Sequence, residues 1–356
     1  MNSVIRGVSI YRLLRRAFAP VATVRCHIQG RKCDTSAGVT LGGTISRRVS
    51  TDSDTEQLDL SGIFPPIVTP FKKNEDLHLV KLKENLQKWN KINFKGYVVL
   101  GSNGEAVHLT PEERVDVVKC VRDNSARGKL LLAGAGCEST RETIEMSKRV
   151  ADAGADAVLV ITPSFFKAKM NNVAIIDHFT KVADASPVPL ILYNMPANTV
   201  VDMSVDAVIQ LSEHPNIIGF KDSGGDLAKL GYIVLKTKDN GFQVLAGSAG
   251  FLLPSYVIGC VGGICAVANI VGQTVCDVHS LYHKGDMETA LQLQQMLIGP
   301  NTAVTKTFGV SGLKAAMEWV GLYGGPARAP LQPLTAEERI ALRRAFLASE
   351  LIKDNL

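Results

Sequence analysis

The chain has 356 residues, 46% hydrophobic and 21% charged, enough for one large domain with a full core. No apolar run approaches the roughly 20 residues of a membrane span, which excludes a spanning helix. The formal charge of +5 forms no basic patch on the body, which argues against a nucleic-acid partner.

The charge is unevenly placed. Residues 1–50 hold nine basic residues and one acid, Asp34. Taking these from totals of 39 and 34 leaves 30 basic and 33 acidic residues, so the rest of the chain is mildly acidic. In the head, Ile10, Leu13, Leu14, Ala17 and Phe18 follow helical spacing, with Arg12, Arg15 and Arg16 on the opposite side. An Arg-rich, acid-poor amphipathic N-terminus has the composition of a mitochondrial transit peptide, and predicts a matrix location. Residues 51–61 read as a polar linker. Seven cysteines are scattered without a CxxC pair, which points to a reducing compartment and no structural zinc.

From Gly62 onward one pattern repeats: an apolar run ends in a small or polar residue, and an amphipathic stretch follows. The runs are 63–69, 96–100, 130–133, 157–161, 189–193, 217–221, 243–246 and 262–266. Their end landmarks lie 22 to 33 residues apart. Eight strand–helix units at this spacing predict an α/β fold, a (β/α)8 TIM barrel over 62–285. The strands are apolar on both faces, as a parallel sheet covered by helices requires. Thr110-Pro111-Glu112-Glu113 and Ser139-Thr140-Arg141-Glu142 read as helix starts. Helices near 287–298, 311–320 and 335–347 predict a small C-terminal helical extension over 286–356.

The strand ends carry the polar groups. Lys221 closes the sixth run behind Ile218 and Phe220, and a lysine freed of its proton at a barrel mouth attacks ketones. Tyr193 closes the fifth run, one strand away, where a phenol can relay a proton. Gly101-Ser102-Asn103-Gly104-Glu105 follows the second run, a nest of amides suited to a carboxylate or phosphate. Gly247-Ser248-Ala249-Gly250 follows the seventh, where barrels often hold an anion. Phe165 and Phe166 stand together after the fourth run, as loop aromatics that pack on a partner subunit do. His279 and His283 are spaced i, i+4 but lack an HExxH glutamate, so a solvated helix face is expected and no metal site. No GxGxxG after the first strand, P-loop or GxSxG occurs, so no cofactor is predicted.

Thr69-Pro70-Phe71, Gly101 to Glu105, Thr162-Pro163, Tyr193 to Pro196 and Lys221-Asp222-Ser223-Gly224 together resemble the pyruvate-dependent lyase/synthase family of dihydrodipicolinate synthase and N-acetylneuraminate lyase. The likeness spans residues 60–350 in order and spacing. It implies Schiff-base catalysis by Lys221 and proton relay by Tyr193. It also implies substrate binding by Ser102, Asn103, Ser223 and Gly247, and a homotetramer. Within the family the likeness implies cleavage of a small 2-oxo acid, 4-hydroxy-2-oxoglutarate, to pyruvate and glyoxylate. Another lyase or synthase of the family, or a non-catalytic barrel acting as a regulatory or interaction protein, is the alternative. Two positions depart from the pattern. The synthases' arginine after Tyr-Asn-x-Pro is replaced by Ala197-Asn198-Thr199. The intersubunit tyrosine after the Thr-Pro pair is Phe165 or Phe166.

Overall fold

The computed structural model describes residues 57–352; the transit-like head and most of the linker lie outside them. Eight strands form one all-parallel sheet in the order β1-β8-β7-β6-β5-β4-β3-β2. They are β1 (Gly62–Phe64), β2 (Gly96–Val99), β3 (Leu130–Gly134), β4 (Ala157–Ile161), β5 (Leu190–Asn194), β6 (Ile217–Asp222), β7 (Gln243–Ala246) and β8 (Gly262–Ile264). The seam between β1 and β2 closes just past β1: the Ile67 amide donates to Val98 O at 2.9 Å, and the Val98 amide to Pro65 O at 3.0 Å. This is the expected TIM barrel.

Around it run α1 (Leu79–Trp89), α2 (Pro111–Asn124), α3 (Thr140–Asp152), α4 (Asn172–Ala185), the single turn α5 (Pro196–Thr199), α6 (Val205–Leu211), α7 (Leu227–Thr237), α8 (Leu252–Val257) and α9 (Ala268–Lys284). The helix starts are where the caps place them. Thr110 and Glu113 form a reciprocal capping box on α2, and Ser139 caps α3 by accepting from the Glu142 amide. Apolar side chains pack in two layers, one inside the barrel (Phe64, Val98, Leu132, Leu159, Ile191, Leu245, Ile264) and one between sheet and helices. Strand alternation sorts residues between them: Ile191 points inward and Leu190 and Leu192 outward.

The compact body begins ahead of β1. Leu60 is fully buried, its amide donates to Gln243 Oε1 at 2.7 Å, and Gln243 Nε2 donates to Leu58 O. After β8 the extension follows as α10 (Met287–Thr302), a π-helical turn at Ala303–Thr307, α11 (Gly309–Trp319) and α12 (Ala336–Leu347). His279 does not lie on a solvated face as expected. It is half-buried against Tyr256, whose hydroxyl is 2.9 Å from its Nδ1, and burial lowers its pKa to about 4.

Candidate active site

Lys221 and Tyr193 face each other across the β5–β6 ladder, as direct register partners. A bulge puts them there. Leu190 pairs with Ile217, but Ile191 pairs with Gly219, so Ile218 is an extra residue on β6. From that point the side-chain alternation of β6 shifts by one. Phe220 then points outward with Leu192, while Lys221 enters the barrel mouth with Tyr193. Gly219 permits the close approach, since a Cβ there would stand 2.5 Å from Gln243 O.

Lys221 is only 4% exposed, and its Nζ lies 3.7 Å from the centroid of the Tyr193 ring. The Tyr193 hydroxyl is 3.2 Å from Ser102 Oγ. Burial by itself raises the pKa of this phenol, but the charge of Lys221, the hydrogen bond with Ser102 and the nearby polar groups of Lys221 and Ser223 outweigh it. The net displacement is downward. Ser223 Oγ in turn donates to Gly247 O at 3.4 Å. Gly247 must be glycine, because a Cβ would meet Ser223 Oγ at 2.2 Å and Asp222 O at 2.4 Å. Lys221, Tyr193, Ser102, Ser223 and Gly247 are therefore brought to one place.

Ser102 and Asn103 start a 3₁₀ turn, Ser102–Gly104. Its later amides are consumed in closing it: Gly104 N donates to Gly101 O and Glu105 N to Ser102 O. The Ser102 and Asn103 amides are not used inside the turn, as at any helix start. The turn is pinned from below by Thr69 Oγ1, which donates to Gly104 O at 2.7 Å. The Asn103 side chain makes no hydrogen bond among the described residues.

Behind the strands, Asn194 Nδ2 donates to Asp222 Oδ1 and to Asp202 Oδ1, both at 2.7 Å, and Asp222 Oδ2 accepts the Gly225 amide. This network, buried at Asn194 and Asp222 and reaching the surface at Asp202, fixes the backbone on either side of Tyr193 and Lys221. A cavity of about 640 Å³ opens beside Tyr193 and Ser102, lined also by Thr162, Asn198, Thr199, Arg114 and Glu138; Lys221, Asn103, Ser223 and Gly247 stand behind its wall and do not line it. Thr162, a strand-end landmark in the sequence, proves to be a polar wall of this cavity. Its Oγ1 is buried and has no hydrogen-bond partner among the described residues. Glu138 ties two loops together by accepting from the Ser164 and Phe165 amides and the Ser164 hydroxyl. Phe165 and Phe166 are 77% and 71% exposed.

The partner of Glu105 is not apparent from the spacing of the motifs. Lys314, on α11, is 1% exposed and meets the equally buried Glu105 carboxylate at 2.5 Å. The available signal was a lysine inside the otherwise apolar stretch Leu313-Lys314-Ala315-Ala316-Met317.

Comparison with known proteins agrees with this geometry. The model of the dihydrodipicolinate synthetase family matches residues 59–348. A protein of Emericella nidulans named probable 4-hydroxy-2-oxoglutarate aldolase, mitochondrial, is 37% identical over 293 residues, covering 81% of this chain and 94% of its own. The 4-hydroxy-tetrahydrodipicolinate synthase of Methanothrix thermoacetophila is 35% identical, covering 79% and 94%. The crystal structure of YagE, an E. coli K12 prophage protein solved in complex with pyruvate, superimposes with a TM-score of 0.78 at 29% identity, covering 82% and 99%. Fold, strand-end residues and sequence likeness converge: the chain belongs to the dihydrodipicolinate synthetase family.

Proposed function

We propose that this member of the family is a carbon–carbon lyase that cleaves 4-hydroxy-2-oxoglutarate to pyruvate and glyoxylate through a Schiff base on Lys221. The observation that carries the reading is the buried Lys221 amine 3.7 Å from the Tyr193 ring, with the Tyr193 hydroxyl against Ser102. Attack on a ketone requires an amine without its proton. Tyr193, more acidic than an ordinary phenol, is the neighbour that exchanges that proton. Nζ adds to the C2 carbonyl, water leaves, and a protonated imine remains. Tyr193 takes the proton of the C4 hydroxyl as the C3–C4 bond breaks. The bonding electrons move into the imine to give an enamine, and glyoxylate departs. Protonation at C3 and hydrolysis of the imine release pyruvate and return the amine, so atoms and charge balance.

In this reading the free amides and side chains of Ser102 and Asn103 hold the carboxylate next to the ketone. Ser223 and Gly247 border the opposite side, and the unpartnered Thr162 hydroxyl meets the distal half of the substrate. Asn198 supports an aldolase over a synthase, since the stretch Ala197-Asn198-Thr199 carries no cation where the synthases place arginine, and the arginine that lines this cavity, Arg114, comes from α2 instead. The named Emericella nidulans relative supports both the substrate and a mitochondrial location. The exposed Phe165–Phe166 pair supports burial between copies in a homotetramer.

The test is a panel of 4-hydroxy-2-oxo acids assayed for pyruvate release. The dicarboxylate 4-hydroxy-2-oxoglutarate is expected to give the highest kcat/KM. A preference for a longer sugar acid, or condensation of pyruvate with an amino-aldehyde in place of cleavage, would contradict the substrate.

A further inference from the structure

Glu105 ends the turn that presents Ser102 and Asn103, in a left-handed conformation with φ of 53°. Its side chain runs inward, where two groups from the C-terminal extension and one from the adjacent turn converge on it. Lys314 Nζ of α11 stands 2.5 Å from Oε1. The Arg328 amide donates to Oε2 at 2.9 Å, and His108 Nδ1 lies 3.3 Å from the same oxygen. The Lys314 ammonium also donates to Pro326 O at 2.8 Å and lies 4.4 Å from the centre of the Phe71 ring. Arg328 covers that ring at 4.3 Å and binds both oxygens of Glu113 at 2.7 Å. Phe71 follows Thr69, whose hydroxyl holds the Gly104 carbonyl of the same turn.

A buried ion pair adds little net stability, because desolvation consumes most of the attraction. Its particular effect is directional: one ammonium, that of Lys314, beside Oε1 and the neutral Arg328 amide on Oε2 leave the carboxylate a narrow range of positions. Here that carboxylate belongs to the residue that closes the turn. None of Glu105, Lys314 and Arg328 is among the groups assigned to the substrate.

We propose that Glu105, Lys314 and Arg328 are positioning residues, and that the C-terminal extension completes the 2-oxo acid carboxylate site by fixing the Ser102–Asn103 turn against Lys221. This rests on the Schiff-base reading above. By linkage, a 2-oxo acid seated on the turn stabilises the extension by the same free energy with which the extension favours its binding.

Two measurements on the full chain test it. In the unaltered protein, pyruvate is expected to slow amide hydrogen exchange in residues 309–328 as well as 101–105. Protection confined to the barrel loops would overturn the coupling. The double variant Glu105→Gln/Lys314→Met removes both charges while keeping volume, and is expected to remain folded by circular dichroism. The pyruvate concentration for half-maximal borohydride trapping should rise about tenfold or more, with the trapping rate at saturation changed less than about twofold. A folded double variant that is half-saturated at the unaltered protein's concentration refutes the assignment. If the double variant does not fold, the exchange experiment decides. A failure of the unaltered protein to trap pyruvate refutes the Schiff-base reading itself, and this inference with it.

Discussion

Tyr193 sits under two opposed influences. Its burial favours the neutral phenol, while the Lys221 ammonium and the polar neighbours Ser102 and Ser223 favour the phenolate, and the second group prevails. A phenol moved toward neutrality is better matched to relay protons than one at its reference value of about 10. Replacing Tyr193 by Phe should therefore lower cleavage turnover by about 10²- to 10⁴-fold, with a smaller loss in pyruvate imine formation, read by single-turnover trapping. Equal losses in both would mean that the hydroxyl serves only to seat the lysine. Lys221→Ala should lower cleavage at least about a thousandfold with the fold intact. Near-normal turnover in that variant would remove the covalent step.

At the scale of the element, the bulge in β6 is the feature on which the site turns. Without Ile218 as the extra residue, Lys221 would pair with Asn194 and face the helices. The sequence placed both residues at the ends of adjacent strands, and there it was accurate. A bulge, however, leaves no mark in an apolar run such as Ile217-Ile218-Gly219-Phe220, because every one of those residues is buried on either face. Gly219→Ala drives a Cβ to within 2.5 Å of the Gln243 carbonyl. It should destabilise the protein by about 1–3 kcal/mol in denaturant unfolding and reduce trapping at Lys221. Unchanged stability and trapping would mean that the strand adjusts and the bulge does not set the lysine. A second element-level prediction concerns His178, on α4 and facing α3. It is 5% exposed, bonded to Thr140 Oγ1 at 2.9 Å, and held by burial at a pKa of about 4 against an ordinary 6.5. The folded state resists protonation, so this contribution is present above pH 6.5 and is lost as pH falls toward 4. It amounts to up to about 3 kcal/mol, and His178→Gln should flatten the fall of Tm with pH over that window. A Tm profile in the variant as steep as the parent's would assign acid sensitivity elsewhere.

The whole molecule joins a barrel read almost fully from strand spacing to an extension whose purpose was not legible. Landmarks 22 to 33 residues apart suffice for eight parallel strands, since each unit must bury one strand and one helix face. Nothing local predicts that Lys314 returns more than 200 positions along the chain to Glu105, because long-range ion pairs have no periodicity. The cavity wall formed by Thr162 was equally hidden, for a Thr-Pro pair reads first as punctuation. The basic head carries a separate expectation: residues 1–50 fused to a reporter should direct it to mitochondria, and a cytosolic reporter would contradict the address. The central claim is a covalent bond between one amine and one keto carbon, and reduction of the protein with borohydride in the presence of pyruvate tests it most directly. Peptide mapping should find one reduced pyruvate attached to Lys221 and none in Lys221→Ala; an unmodified Lys221, or label spread over surface lysines, would contradict the account.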